Sequence, residues 1–235
     1  MKKRITLACL LSTLVFHVHA DDNAITTEEQ KFSYAIGFQM AQQLKSQGIP
    51  LDASAVSQAV KDVLSNGELK ITVQEMSAVF ESFQQKRMSE MQAVADTNKK
   101  AGEAFLEKNK SADGVTVLDS GIQYKVLKAG TGKSPTATDT VTVNYRGTLI
   151  DGTVFDSSYD RGEPVSFGLS GVIKGWQEVI PLMKEGAKWQ VFIPSDLAYG
   201  PRAVGQTIGP NSTLIFEIEL LSMASANHDG HDHNH

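Results

Sequence analysis

The residues best suited to chemistry lie in one stretch, residues 152–180, which reads GTVFDSSYDRGEPVSFGLSGVIKGWQEVI. In order along the chain it carries an aromatic residue followed by a carboxylate, an apolar pair and a tryptophan: Phe155-Asp156, Val172-Ile173 and Trp176. No nucleophile stands beside a general base in this stretch, and turn residues connect its apolar groups. Such a set favours an apolar cavity with a carboxylate beside it, which binds a ligand without attacking it.

The residues needed for covalent or metal-assisted hydrolysis are missing from most of the chain. The only cysteine is Cys9, and the first histidine after the N-terminal segment is His228, close to the C-terminus. A Ser-His-Asp triad would need a histidine from that end of the chain. No predicted helix carries the pair of histidines, four residues apart, that is typical of a zinc site. We therefore expect no catalytic triad, no metal site and no cofactor.

The C-terminal tail, residues 224–235, is rich in histidine. It holds four of the six histidines of the chain: His228, His231, His233 and His235. Imidazoles at this density could bind zinc, copper or nickel loosely. Because no predicted element fixes their geometry, the composition favours a disordered tail with incidental metal affinity over a functional metal site.

The first 20 residues, MKKRITLACLLSTLVFHVHA, have the form of a secretory signal peptide, with a basic start, an apolar run and a small-residue pattern ending at Ala20. The apolar run is too short to span a bilayer, so we expect no transmembrane segment. The chain has 22 basic and 27 acidic residues, and removal of the three basic residues of the signal leaves 19 against 27, a net charge of −8. This charge argues against a nucleic-acid partner. We expect a periplasmic protein, with secretion or peripheral attachment to the outer membrane as alternatives.

Residues 21–71 have the apolar periodicity of helices. A capping box over residues 27–30, Thr-Glu-Glu-Gln, predicts the start of one helix, and Asp52 can cap a second helix that ends before Gly67. A further capping box at Thr72 begins a third helix, which meets no proline and is predicted over residues 72–110. At ~1.5 Å per residue, that connecting helix is roughly 55 Å long.

A helix of this length has more apolar surface than two short helices can cover. The excess lies in its first part, because its second half is only thinly apolar. We therefore predict that residues 21–71 form a dimerisation region and that the chain is a homodimer through its N-terminal helices. A three-helix bundle within one chain, with a solvated extension, is the alternative.

From residue 114 the apolar periodicity changes from 3.6 to 2, which indicates strands. Apolar residues alternate in four segments, 122–126, 141–145, 191–193 and 214–218, and only residues 175–183 predict a helix. Four or five strands and one helix over residues 114–223 predict an α+β domain. One helix packed on one face of a curved antiparallel sheet leaves a gap between them in which a ligand can bind.

Several motifs of this domain occur in the order found in FKBP-type peptidyl-prolyl cis-trans isomerases. They are Tyr145-Arg146-Gly147-Thr148-Leu149, Gly152-Thr153-Val154-Phe155-Asp156-Ser157-Ser158, Val172-Ile173-Lys174-Gly175-Trp176, Ile193-Pro194, Ala198-Tyr199-Gly200 and Leu214-Ile215-Phe216-Glu217-Ile218-Glu219-Leu220. The resemblance covers residues 121–222 and implies a bent antiparallel sheet wrapped around one short helix. The helical N-terminal region is similar to that of the Mip-like (macrophage infectivity potentiator) branch, whose members are V-shaped dimers.

The resemblance also implies site residues. Trp176 is expected to form the floor of a cavity for a proline ring, with these residues around it: Tyr145, Phe155, Val165, Phe167, Val172, Ile173, Ile208 and Phe216. The groups implied to act in catalysis are Phe155, the rim residues Asp156 and Tyr199, and the backbone N–H of Ile173, which would face a substrate carbonyl. Two residues depart from many relatives: Val165 replaces an aromatic residue and Val204 a rim histidine. We expect both to affect the preference for the residue before proline.

The implied function is acceleration of X–Pro isomerisation during the folding of exported proteins, combined with chaperone activity. The implied partners are unfolded or proline-containing polypeptides and the macrolide inhibitors of the family. No covalent bond breaks in this reaction, so the absence of a nucleophile and its base is what it predicts. A holdase chaperone that uses the fold only to grip its clients is the alternative function.

Overall fold

The structure is a computed structural model that describes residues 24–225. The predicted signal peptide and the histidines of the tail lie outside this range. The chain divides into two compact units, one ending at Val73 and the other beginning at Gln74.

The first unit contains helices α1, Glu28–Ser46, and α2, Ala53–Leu64. Both predicted caps are confirmed. The Thr27 hydroxyl accepts a hydrogen bond from the backbone N–H of Gln30, and the Asp52 carboxylate accepts bonds from the N–H groups of Ser54 and Ala55. These side chains satisfy donors that the first turn of a helix leaves without partners.

The third helix, α3, spans Val73–Asn109, which is 37 residues and agrees with the predicted connecting helix. Its two buried residues, Ala95 and Gly102, lie in its C-terminal half. That half packs on the strand domain of the same unit, where the rings of Phe105 and Phe192 lie 5.8 Å apart.

Seven strands form one antiparallel sheet. Their bounds are β1, Val115–Val117; β2, Gln123–Lys128; β3, Thr140–Leu149; β4, Val154–Ser157; β5, Val165–Gly168; β6, Lys188–Ile193; and β7, Leu214–Ala224. The order is β1-β2-β6-β7-β3-β4, and β5 pairs with β3. The alternation in the sequence identified β2, β3, β6 and β7. It missed β1, β4 and β5, which have only three or four residues each and are too short for a period to show.

Two helices lie among the strands: α4, Ser158–Arg161, and α5, Lys174–Val179. A 3₁₀ turn at Ile180–Leu182 continues α5, so the predicted helix is confirmed and begins one residue earlier than expected. This helix lies very close to the sheet, since a Cβ added at Gly175 would stand 2.5 Å from Cγ2 of Ile193. Its buried residues complete the core formed by the inward faces of β3, β6 and β7.

None of the helices within residues 24–225 is both long enough and apolar enough to cross a membrane.

Candidate functional site

A cavity of about 530 Å³ lies in the second unit. All but one of the predicted site residues line it: Tyr145, Phe155, Asp156, Phe167, Val172, Ile173, Trp176, Tyr199, Ile208 and Phe216. Val204, which we expect to affect the preference for the residue before proline, lines it as well. A volume of this size lies within the range typical of ligand-binding sites.

Val165 is the predicted site residue that does not line the cavity. It pairs with Val143 of β3 and packs, half-buried, against the hydrophobic core. Two residues further along β5, Phe167 lines the cavity. Of the two predicted residues on β5, Phe167 thus lines the cavity and Val165 packs against the core.

The indole of Trp176 forms the floor of the cavity. It is 4% exposed, and three rings stand nearly perpendicular to it. The ring centroids of Tyr145, Phe167 and Phe216 lie 5.3, 5.6 and 5.2 Å from that of Trp176, with interplanar angles of 86°, 87° and 78°. Edge-to-face pairs of this kind add to the stability that burial provides, so contacts with three rings fix the Trp176 indole in place.

The register of the sheet brings the walls together. On β3 the buried residues alternate with exposed ones, which directs Tyr145 and Gly147 to the inner face. Gly147 stands opposite Phe216 of β7 and opposite Asp156 of β4. The absence of a side chain at Gly147 leaves room for the Phe155 ring, two atoms of which lie 2.5 Å from where a Cβ would be.

A polar cluster stands at the rim. The Tyr145 hydroxyl donates a hydrogen bond to one carboxylate oxygen of Asp156, and the Arg161 guanidinium donates to the other. Arg161 also donates to the Tyr145 hydroxyl at 2.8 Å, and its guanidinium lies 5.5 Å from the centre of that ring. Each member of this cluster therefore contacts the other two.

The cluster sets the charge of Asp156. Partial burial acts to raise the pKa of this carboxyl, but hydrogen bonds from Tyr145 and Arg161 and the positive charge of Arg161 outweigh it, so the pKa lies below its ordinary value. Burial and the bond to Asp156 raise the pKa of Tyr145. At neutral pH the cavity therefore has a carboxylate and a neutral phenol at its rim.

Two donors are available to a ligand. Among the described residues, no acceptor pairs with the backbone N–H of Ile173, and no hydrogen bond engages the hydroxyl of Tyr199. Both residues line the cavity and are half-buried. A ligand in the cavity can therefore accept hydrogen bonds that no group of this part of the chain already takes.

Comparison with known proteins agrees with this geometry. Residues 131–221 match the family model described as FKBP-type peptidyl-prolyl cis-trans isomerase. Residues 29–126 match the model of the domain amino terminal to FKBP-type peptidyl-prolyl isomerase. The outer membrane protein MIP of Legionella longbeachae is 45% identical over 232 residues, which is 96% of this chain and all of that protein. The chain belongs to the FKBP-type peptidyl-prolyl cis-trans isomerase family.

Other relatives place this FKBP-type isomerase in the same group. The peptidyl-prolyl cis-trans isomerase Mip of Coxiella burnetii is 43% identical over 85% of this chain and 88% of its own length. The crystal structure of FkpA from Escherichia coli superposes with a TM-score of 0.62 at 38% identity, covering 87% of this chain and all of that one. A crystal structure of a peptidyl-prolyl cis-trans isomerase from Pseudomonas syringae covers 56% of this chain and 96% of its own, with a TM-score of 0.53 and 40% identity.

Reasoning from the sequence missed two parts of the FKBP site. Arg161 follows Asp156 by five residues, and only the turn of α4 brings it back to the carboxylate. The sequence offers one signal, the Ser157 cap and Gly162 stop that bracket a single helical turn. The second part is the loop over residues 205–207, Gly205, Gln206 and Thr207, which line the cavity without any periodicity that would reveal them.

Proposed function

We propose that this isomerase binds the proline ring of its substrate on Trp176 and catalyses rotation of the preceding peptide bond without forming a covalent bond. The observation that carries the proposal is the aromatic cavity with unpaired donors, Ile173 N–H and the Tyr199 hydroxyl, at its rim. Rotation about an X–Pro bond has a barrier of roughly 20 kcal/mol and takes tens to hundreds of seconds unaided.

The barrier arises from amide resonance, which is lost when the bond is twisted by about 90°. Resonance puts negative charge on the carbonyl oxygen, and hydrogen bonds from water stabilise that charge. Transfer of the amide into an apolar cavity removes those bonds and so weakens the planar form relative to the twisted one. The Asp156 carboxylate is negative at neutral pH and further disfavours the negative charge that resonance places on the carbonyl oxygen of the substrate.

The two free donors would hold the substrate rather than polarise the rotating amide. We assign Ile173 N–H and the Tyr199 hydroxyl to carbonyls of the flanking chain, so that the ring stays fixed while the preceding carbonyl turns. Phe155 and Phe216 close the sides of the cavity, with ring centroids 5.5 Å apart. A rate gain of ~10⁴ needs only about 5–6 kcal/mol, which shape, desolvation and directed hydrogen bonds can supply.

Asp156→Asn tests this site. The neutral amide keeps the shape of the carboxylate but loses its charge and one of the two acceptor oxygens that bind Tyr145 and Arg161, so we expect kcat/KM to fall about tenfold, or about 1.4 kcal/mol of transition-state stabilisation. A protease-coupled assay on a proline tetrapeptide measures the change. A macrolide inhibitor of the family should compete with the peptide in the wild type, because we propose that both occupy the same cavity.

The pH dependence gives this variant a second readout. The folded pKa of Asp156 lies below the unfolded value of about 3.9, so its contribution to stability is complete above that pH and is lost as the pH falls through the folded pKa. The difference in unfolding free energy between wild type and Asp156→Asn should therefore be largest at neutral pH and should vanish in strong acid. Asp119→Asn, at an exposed turn outside the cavity, serves as the control. Equal activity in all three proteins would refute the assignment.

We further propose that the enzyme acts in the periplasm on exported chains and combines isomerisation with chaperone activity. The secretory character of residues 1–20 and the name of the Legionella relative, an outer membrane protein, support an envelope location. In the chaperone role the N-terminal helices would hold the client while the cavity acts on its prolines.

Uncovered apolar residues support a homodimer through the N-terminal helices. α1 buries none of its residues, and three of its apolar residues, spaced four apart, are exposed: Phe32 at 68%, Ile36 at 53% and Met40 at 41%. Leu64 at the end of α2 and Phe80 in the first part of α3 are exposed at 79% and 68%. Soluble proteins rarely expose so many large apolar side chains close together. The same helices of a second copy would present an apolar surface that covers them.

Removal of residues 1–89 should separate the two roles. The remaining chain keeps the part of α3 that packs on the strand domain but loses α1, α2 and Phe80, so we expect a monomer where the full chain is a dimer. Its peptide turnover should stay within about twofold of the full chain, since every cavity residue is retained, whereas suppression of client aggregation should be lost. Analytical ultracentrifugation and an aggregation assay measure both. A dimeric truncated chain, or one that still suppresses aggregation, would contradict this division.

A further inference from the structure

One wall of the proline cavity is the loop over residues 204–208. The contacts within this loop do not by themselves fix its position. Residues 204–208 line the cavity, and the loop is closed by a pair of backbone bonds between Val204 and Ile208, at 2.9 and 3.2 Å. Residues 204–207 are exposed, and only Ile208 is buried, at 7%. The position of this wall therefore depends on what holds the chain after Ile208.

That chain is held by α3, and the backbone N–H of Asn211 donates a further hydrogen bond to the carbonyl oxygen of Gly200 at 2.7 Å. The Asn98 side-chain amide donates a hydrogen bond to the carbonyl oxygen of Pro210 at 2.9 Å, and the Asn211 amide donates to the carbonyl oxygen of Ala95 at 3.5 Å. Gly209 lies directly under Asn98, because a Cβ there would be 2.8 Å from Nδ2 of Asn98. Three consecutive residues after the wall thus contact one face of the helix.

The closest approach between α3 and residues 209–213 is made by a glycine of the helix. Gly102 is buried, and a Cβ on it would lie 2.2 Å from Oγ1 and 3.1 Å from Cβ of Thr213, the buried residue that precedes β7. Glycine in a helix interior is less favourable than alanine, so its presence here is explained by the close approach of Thr213 rather than by helix formation. Gly37, in α1, has no atom within 4 Å of its missing Cβ.

We propose that Asn98 and Gly102 are positioning residues of the isomerase: by fixing residues 209–213 against α3, they set the position of the 204–208 wall and hence the affinity and selectivity for the substrate. The inference rests on the proposed proline cavity. The floor and the charged rim come from other elements, since Trp176 lies on α5 and Asp156 on β4. A displaced wall should therefore weaken substrate binding and leave the rotation step unchanged.

Gly102→Ala tests the inference, with Gly37→Ala as the matched control. The added methyl group must push Thr213 away, so we expect KM for a proline tetrapeptide to rise about tenfold while kcat stays within about twofold. The ranking of peptides that differ in the residue before proline should also change, because we expect Val204 in this wall to affect the preference for that residue. Gly37→Ala makes the same helical substitution without a contact and should keep wild-type KM and ranking.

A second substitution separates displacement of the wall from general damage. Thr213→Ala removes the Oγ1 atom that meets the new methyl group, so the double variant Gly102→Ala/Thr213→Ala should recover most of the wild-type KM. If instead the apparent kcat falls in proportion to the folded fraction while KM stays at the wild-type value, or if the double variant is no better than Gly102→Ala, the inference is wrong.

Asn98→Ala provides a milder test should Gly102→Ala fail to fold. It removes the bond to Pro210 but adds no atoms, and we expect KM to rise about threefold with kcat unchanged. Gln92→Ala is its control, because the Gln92 amide bonds only to the exposed Asp96 one turn away on the same helix. Failure of the proposed cavity itself would appear differently, as unchanged kcat/KM in Asp156→Asn. Wild-type KM and ranking in Asn98→Ala would overturn the positioning role.

Discussion

Trp176→Ala is expected to reduce kcat/KM by about a hundredfold, which corresponds to about 2.7 kcal/mol of transition-state stabilisation. The indole is the platform on which we place the proline ring, and the edges of Tyr145, Phe167 and Phe216 are directed at it. Its removal leaves a hole at the floor and frees those rings to turn into the cavity. The same substitution should lower the free energy of unfolding by about 3–5 kcal/mol, as for other large core aromatics.

The second tryptophan is a matched control for this variant. Trp189 is 8% exposed and stacks on Tyr124, with ring centroids 4.3 Å apart, but it does not line the cavity. Trp189→Ala should therefore cost similar stability and keep kcat/KM within about threefold when activity is expressed per folded molecule.

Peptide turnover and denaturant unfolding of both variants measure the difference between the two tryptophans. In Trp189→Ala the remaining fluorescence comes from Trp176 and should respond to a macrolide, whereas the signal of Trp176→Ala should not. Equal losses of turnover in the two variants would show that Trp176 matters to stability alone.

Much of the fold follows from local sequence signals. The caps at Thr27 and Asp52 are formed within three residues of the helices that they begin, and the 37-residue α3 contains no proline to stop it. β3 and β7 alternate between core and surface over long stretches, so their period is clear. These features depend on neighbouring residues only, which is why they can be predicted from the sequence.

The parts that escaped prediction depend on distant contacts. β5 has four residues and is defined by pairing with β3, so its alternation is too brief to recognise. Val165 illustrates the consequence: the resemblance placed it at the ligand, but its pairing with Val143 places it against the core. The 204–208 wall depends on contacts of the following residues with Asn98 and Gly102, more than 100 positions earlier in the chain.

The site itself was predicted from the order of its motifs rather than from any single residue. An Asp after a Phe is usually a turn residue, and a lone Trp is usually part of a core. Arg161 has no such motif, and its role follows only from the structure, in which one turn of α4 returns it to Asp156 and Tyr145.

Gly147→Ala is expected to displace the Phe155 ring that forms part of the cavity wall. A Cβ at this position would lie 2.5 Å from Cε2 and Cζ of Phe155 and 3.0 Å from Cε1 of Phe216. Both rings are attached to neighbouring strands, so relief of the clash requires rotation of a ring or movement of β4 or β7. We expect the free energy of unfolding to fall by about 1–3 kcal/mol through overpacking, and kcat/KM to fall at least tenfold, or about 1.4 kcal/mol, because the Phe155 ring must move into the cavity.

Gly168→Ala separates this effect from the general cost of replacing a strand glycine. Gly168 has φ −70° and ψ 123°, which any residue adopts, and no atom lies within 4 Å of its missing Cβ. This variant should retain wild-type activity, and its stability should be equal or slightly higher because alanine restricts the unfolded chain more than glycine does.

Phe155→Leu identifies the contact responsible. Leucine lacks the outer ring atoms that the new methyl group would meet, so the double variant Gly147→Ala/Phe155→Leu should be more stable than the sum of the two single changes predicts. Its activity should stay low, because a leucine does not replace the aromatic wall. Additive losses of stability in the cycle, or wild-type stability of Gly147→Ala, would mean that the strands move apart easily, and the close packing of Gly147 would then not be what holds Phe155 at the cavity.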